Sequence, residues 1–499
     1  MLKVNEKDFK IFMFLFLLFS LFGLYILAAE KYSLLIILPC IVFAGGILYA
    51  VRSFYDNIFL FCFLLCLFTF LLCGQVINKF MHVYGYNFSN EIEMHADIVL
   101  LISLIGLLSG YIITNHCSKN KSGKARVAYN TSYCKSIRYI SKLYFYATYL
   151  LWILTLLDTI LYVVQYGYAS YYLSYSSRIP ALIREIGYMA PVALYIFLAA
   201  MPGKKEARLP LIMYILYSLL SLGTGRRIHF MTGLLFVFAY MMFRNVICPE
   251  EEPWISKKTI IGICIAVPVL LGSMYIFEYV RSEYSVGTAS QYSPVAGFFI
   301  RQGTSINVIK YTELFQDRLN PEAHYSLYNT MQWLQGNIID KFLDLDLSFQ
   351  FGKQSKSTAS YGTYLADFVS YNANASIYLA GMGYGSCYIE ELYVDFGYMG
   401  VFLGNVLYGF LLCKLLRNAS SQRNIWLTAI GFFMVNELFK APRATFDAFF
   451  GRFLYFSYWG PIVLIYIFVT LNHRSRSTNN ARRIQRDGGW IAEREQRGR

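Results

Sequence analysis

The chain has 499 residues, of which 57% are hydrophobic and only 15% charged, whereas a soluble domain carries about 25% charge. Apolar runs of roughly 17 to 25 residues recur along it, each long enough to cross about 30 Å of hydrocarbon, so a string of soluble domains is excluded. The net charge of +14 would suggest nucleic acid in a soluble protein. Here the basic residues lie mostly in short loops and tails, where they set topology and meet anionic lipid headgroups, so no nucleic-acid partner is expected.

Lys3, Lys7 and Lys10 precede the apolar run 11–29. That run is too long for the core of a signal peptide and has no clear cleavage site, so it reads as a retained first helix. Further helices are expected at 33–51, 57–77, 96–115, 144–165, 187–202, 209–223, 228–245 and 259–278, and the last three at 394–416, 424–440 and 453–471. The expected fold is an all-α polytopic membrane protein of about 12 transmembrane helices with one long external loop of short helices. With both termini cytoplasmic, the inward segments hold 28 lysines and arginines and the short outward segments nine, as the positive-inside rule requires of a plasma-membrane protein. The organisation is then 1–278, nine transmembrane helices; 279–393, the external loop; 394–471, three transmembrane helices; and 472–499, a basic cytoplasmic tail. No internal repeat is visible, which weighs against an inverted-repeat transporter.

The ten cysteines fall mostly in apolar runs or inward loops, and segment 279–393 holds only Cys387. A disulfide framework is not expected. No paired Cys-x-x-Cys and no other metal-ligand spacing occurs, so neither a metal nor a soluble cofactor is expected.

Segment 279–393 has no spanning run. Phe298–Phe315 and Leu327–Phe349 read as helices with one apolar face, and Gly352–Ser376 as loop. Tyr361, Tyr364, Tyr371 and Tyr378 suit an aromatic belt at the membrane interface, and equally suit stacking on sugar rings.

Arginine near the membrane is costly unless paired or facing a ligand. Arg226 and Arg227 follow Gly223-Thr-Gly225, Arg281 follows the ninth helix, Arg301 opens Arg301-Gln302-Gly303, and Arg443 and Arg452 precede the last helix. Guanidinium groups match phosphate oxygens in bidentate geometry, so an outward set of them suits a lipid-linked phosphate or pyrophosphate. The plainer reading is that each pairs with a nearby carboxylate or reaches to headgroups. Glu390 and Glu391, at the entrance of the tenth helix, suit either orientation of a sugar hydroxyl, general-base work, or favourable placement at a helix N-terminus. Gly381-Met-Gly383-Tyr-Gly385-Ser386 could bring backbone N–H groups near an anion, whereas Gly400-x-x-x-Gly404 reads as helix packing. Of the six histidines, His229 lies just after Gly225-Arg-Arg and His324 lies in the external segment.

Many spans, a long late external loop, an outward Gly-Arg-Arg and an outward Arg-Gln-Gly together resemble the O-antigen and capsule repeat-unit polymerases called Wzy. Ile389-Glu-Glu-Leu-Tyr-Val-Asp-Phe-Gly-Tyr-Met-Gly-Val-Phe402 is similar to the acidic, aromatic and glycine-rich entry into the helix after that loop. The resemblance covers nearly the whole chain in architecture, and residues 223–229, 298–310 and 385–404 in motif. It implies a glycosyltransferase that joins polyprenyl-pyrophosphate-linked oligosaccharide repeats outside the plasma membrane, with membrane lipid, a flippase and a chain-length regulator as further partners.

On that reading Arg226, Arg227, Arg281 and Arg301 stabilise the pyrophosphate leaving group. Gln302, Arg443 and Arg452 contribute to substrate binding. Orientation or deprotonation of the acceptor hydroxyl falls to Glu390, Glu391 or His324, with no choice among them. Two rivals remain: a lipid-linked oligosaccharide flippase, which would also be polytopic but would not need the long outward segment 279–393, and an O-antigen ligase, which has a related layout and a different acceptor.

Overall fold

A computed structural model describes residues 34–81, 88–119, 131–248, 254, 293–339, 353–420 and 424–472. The expected helices 11–29 and 259–278, the tail 472–499 beyond Asn472, and Arg281 lie outside the described residues. Among the described residues the chain is helical, with no strand. This is the expected outcome for apolar segments whose peptide groups must pair within each segment in lipid.

The helices that position the site follow in order. The first is α1 (Ile37–Arg52), followed by α2 (Ile58–Met81), which includes a π turn at Phe68–Leu72. Next come α3 (Asn90–Lys119), α4 (Ser132–Tyr166), α5 (Tyr168–Ser174), α6 (Ala181–Tyr188), α7 (Ala190–Ala199), α8 (Lys204–Leu220) and α9 (Ile228–Ile247). The middle segment holds α10 (Pro294–Gly303), α11 (Asn307–Leu314), α12 (Tyr328–Leu334), α13 (Lys356–Tyr361), α14 (Leu365–Ala373) and α15 (Ala375–Leu379). The chain closes with α16 (Tyr388–Ser420), α17 (Ile425–Leu438), α18 (Ala448–Gly451) and α19 (Phe456–Asn472). Six helices among the described residues are long and apolar enough to cross a membrane; a seventh is counted if 448–472, bent by 66°, is one span.

The two halves of the bundle meet where α3 crosses α16. A Cβ on Gly110 would stand 2.1 Å from the Val406 carbonyl oxygen, and one on Gly409 would stand 2.1 Å from that of Leu107. Only glycine permits backbones this close, which is how helices gain packing energy where lipid offers no hydrophobic drive. Gly400 and Gly404 do not form this seam. Their missing side chains make room for Phe396 and Leu392 of the same helix, folded back by a break at Gly397, whose φ of 63° is left-handed.

The middle segment is more ordered than its polar composition suggests. The stretch expected as loop, Gly352–Ser376, contains α13 and α14. Ser355 and Thr358 form a reciprocal capping box that starts α13, and Asn374 caps α15. Such short polar side chains replace the missing helical partners of the first N–H groups, so they start helices as readily as they fill loops. The single helix expected over Phe298–Phe315 is instead two, because Thr304–Ile306 tightens to a 3-10 turn between α10 and α11. α10 lies across α2, with the Gly303 carbonyl where a Gly74 side chain would be and Phe299 edge-on to Phe68 in the π turn, 6.1 Å between rings.

Candidate functional site

A cavity of about 410 Å³ opens among α4, α5, the α6–α7 junction, α8, α9, α17 and the turn before α19. Its position follows from a local break. α8 tightens into a 3-10 turn at Ser221–Thr224, and Gly225 then turns left-handed with φ 77° before α9 begins. That turn holds Arg226 against the aromatic rings of α5, with its guanidinium carbon 4.0 Å from the Tyr171 centroid and 5.5 Å from that of Tyr172. Arg226 Nε has no hydrogen-bond partner. Tyr171 and its neighbours raise the Arg226 pKa even against the opposing effect of burial. Burial, with Tyr168 alongside, pushes the Tyr172 phenol up to about 12.

Opposite Arg226, α17 and the turn after it supply Glu437 and Lys440, and the turn between α18 and α19 supplies Arg452. Lys440 Nζ donates to Glu437 Oε1 at 2.7 Å, and Arg452 Nε stands 3.6 Å from Glu437 Oε2. Arg452 also donates to the Tyr458 hydroxyl at 3.2 Å. One carboxylate thus serves two cations, while Arg226 has aromatic faces instead of an acid. The formal charge around the cavity is positive, and a positive excess among apolar helices favours an anion.

His229 lies in the first turn of α9 and lines the same cavity. The remaining wall combines hydroxyl side chains, such as Thr155 and Ser218, with aromatic rings, including Trp152 stacked on Tyr217 at 3.4 Å and 13°, with Tyr188 and Tyr458 nearby. Asn436 presents a buried Oδ1 without a hydrogen-bond partner.

Of the residues singled out in the sequence, the cavity gathers Arg226 and Arg452. Arg443 instead donates to Gln302 Oε1 at 3.1 Å, tying α10 to the turn after α17. Gly385 fits beside it, where a Cβ would meet Arg443 Cγ at 2.9 Å. Arg227 and Arg301 are half-buried and do not line the cavity. His324 is exposed at the turn before Tyr325.

The acidic pair has other partners. Glu391 accepts from the Ser386 hydroxyl and, at 2.7 Å, from the Phe446 N–H. Glu390 faces His95, with Oε2 3.5 Å from Nε2. Neither lines the cavity. Their place in the first turn of α16 is the helix-terminus reading weighed in the sequence.

The residues that sequence reading missed are Glu437 and Lys440. Both carried a usable signal: ionisable side chains inside or at the end of an otherwise apolar helix mark a site or a pair. The aromatic wall carried none, because its rings come from seven separate helices.

Among the described residues the chain is a helical bundle with six helices long and apolar enough to cross a membrane and a cavity lined by cations and aromatic rings, the architecture of a multi-pass membrane protein. A sequence profile described as O-antigen polysaccharide polymerase Wzy matches residues 10–475, and the chain belongs to that family. No curated protein matches the chain, and no solved structure does. Membership in this family implies a polymerase of the glycosyltransferase type acting in polysaccharide synthesis on a lipid-linked oligosaccharide.

Proposed function

We infer that the cavity holds the pyrophosphate and first sugar of a polyprenyl-linked glycan, and that the chain moves this glycan onto the next lipid-linked repeat at the outer face of the plasma membrane. The observation that carries the reading is the positive excess around Glu437, set against an aromatic wall. Arg226, Lys440 and Arg452 stabilise the pyrophosphate as negative charge develops on its bridging oxygen, which is where pre-placed cations lower a barrier most. Trp152, Tyr188 and Tyr217 offer flat faces to the sugar next to it.

The acceptor hydroxyl at the non-reducing end of the next repeat attacks the anomeric carbon. The bond from that carbon to the pyrophosphate oxygen breaks, and the lipid pyrophosphate leaves with the electron pair. With the negative charge of the bound pyrophosphate set against the cations around it, the His229 imidazole that lines the cavity takes the hydroxyl proton. The lipid chain enters and leaves between helices. A flippase upstream and a chain-length regulator alongside are the partners this chemistry needs.

The test is the surface-polysaccharide ladder of cells carrying the wild type, a deletion, Arg226→Ala or His229→Gln, with membrane levels matched. The expected result is single repeats on the cell surface in the deletion and in both variants. A ladder that persists in the deletion overturns polymerisation. Single repeats trapped on the inner face would indicate a flippase instead, and loss of all glycan transfer to the final acceptor with polymer still formed on lipid would indicate a ligase.

A further inference from the structure

A second cluster lies away from the cavity, where α3, α11 and α16 meet. His95, Glu313 and Glu390 each place a ligand-type atom within 4.8 Å of the other two. His95 Nε2 is 3.5 Å from Glu390 Oε2 and 3.9 Å from Glu313 Oε2. Ligands held at about 2.0–2.1 Å by a tetrahedral ion sit roughly 3.3 Å apart, so small side-chain movements close this set around one.

Three further observations favour a cation. First, Glu390 is fully buried, and its Oε1 has no hydrogen-bond partner; a buried carboxylate oxygen without a donor is costly.

Second, the neighbouring lysines are committed elsewhere. Lys79 pairs with Asp97 and Lys310 with Glu93, each at 2.5 Å. Among the described residues, His95 is the only basic group in ion-pair range of Glu313 and Glu390. One imidazole faces two carboxylates, and a proton on it offsets only one of them, whereas a divalent ion offsets both.

Third, the other ring nitrogen is already held. His95 Nδ1 stands 3.2 Å from the Tyr398 hydroxyl, and the Tyr393 ring packs 4.3 Å from the imidazole. A ligand histidine is oriented by such a contact, which keeps Nε2 free for metal.

We propose that His95, Glu313 and Glu390 bind a divalent transition-metal ion that fastens α11 to the bundle. One nitrogen and two carboxylate oxygens suit zinc or manganese better than magnesium. Glu313 is 21% exposed, which gives the ion an approach from solvent. The residues are too far apart in the chain for any motif to reveal them. The ion acts on the seat of α11, not on glycan transfer, so the proposal stands apart from the polymerase reading.

The test uses full-length protein in detergent, purified without a polyhistidine tag, stripped with chelator and then dialysed against Zn2+. Bound zinc is measured by mass spectrometry and unfolding by thermal denaturation. Wild type is expected to retain one more equivalent of zinc than Glu313→Gln or His95→Gln, and to melt several degrees higher with zinc than without. Glu313→Gln removes a partly exposed ligand and is expected to fold, so its loss of zinc is separable from misfolding. Equal zinc in wild type and variants overturns the proposal. So does a variant that melts lower than wild type while zinc changes neither, because the cluster is then a protonated imidazole bridge.

Discussion

Two charged regions of this molecule use opposite logic. Around the cavity, Lys440 and Arg452 share the carboxylate of Glu437 while Arg226 faces aromatic rings, and the surplus is positive. Where the middle segment meets the bundle, Glu391, Asp395 and Asp447 each accept several hydrogen bonds from backbone N–H groups and hydroxyls. Asp395 takes those of Tyr325 and Ser326 at 2.6–3.1 Å. Asp447 takes those of Asn329 and Thr330 at 2.7–3.3 Å. A charge whose partners are all internal holds the fold together, whereas a charge left in surplus is available to a ligand.

The sharpest way to break that comparison is to remove one cation from the surplus. Arg226→Ala is expected to lower polymer formation by about 10²–10³-fold, the usual cost of deleting one pre-placed stabiliser of developing charge, with little change in membrane level. Arg226→Lys is expected to recover only part of this, because lysine keeps the charge but not the flat face against Tyr171. In vitro transfer from a lipid-pyrophosphate donor measures both. An equal drop in protein level would move Arg226 into the structural group.

The complementary change is Asp447→Ala. It strips four hydrogen bonds to Asn329 and Thr330, each worth on the order of 1 kcal/mol, and leaves buried donors unpaired. The expected outcome is lower thermal stability and lower membrane level, with residual activity per folded molecule close to wild type. A normal melting temperature with lost transfer would place Asp447 in the chemistry.

These two outcomes bear on how much the sequence could reveal. Family and helical character were legible from apolar runs and the Gly-Arg-Arg and Arg-Gln-Gly motifs, because both are local. Arg226 and Arg452 were legible as cations in turns beside apolar runs. The distinction between Glu391, a staple, and Glu437, a site residue, was not. It depends on what stands opposite each carboxylate, and those partners lie on other helices. Ser355 and Asn374 were read as loop residues because a capping side chain and a loop side chain are the same residue types. His95 attracted no notice for the same physical reason, since Glu313 and Glu390 come to it only through the crossing of three helices.

Asp367 offers a smaller effect with a definite sign. Burial pushes its carboxyl up from 3.8 to about 7, against a hydrogen bond with Tyr378 that lowers it. A folded-state pKa above the unfolded one means the neutral form is favoured by folding. The contribution is fully present below about pH 4 and is lost as pH rises through about 7. Asp367→Asn, which mimics the neutral form, is therefore expected to melt a few degrees above wild type at pH 8. The gap should narrow toward pH 5. A thermal scan at both pH values decides it, and a gap that widens on acidification would mean that the carboxylate, not the acid, is the folded form.

The smallest expected effect separates His229 from His324, the histidine that the sequence alone puts forward for the acceptor. His229 lines the cavity among Arg226, Glu437 and Lys440, while His324 is exposed beside the turn that Asp395 holds. An exposed side chain with no place in the cavity has nothing to lose on truncation beyond its own solvation, and such changes shift stability by no more than about 0.5 kcal/mol. His324→Ala is accordingly expected to leave the melting temperature, ladder length and transfer rate close to those of wild type. A large loss would require His324 to meet substrate outside the cavity. The acceptor glycan would then have to run over the middle segment, and the exposed face around Tyr361 would become part of its path.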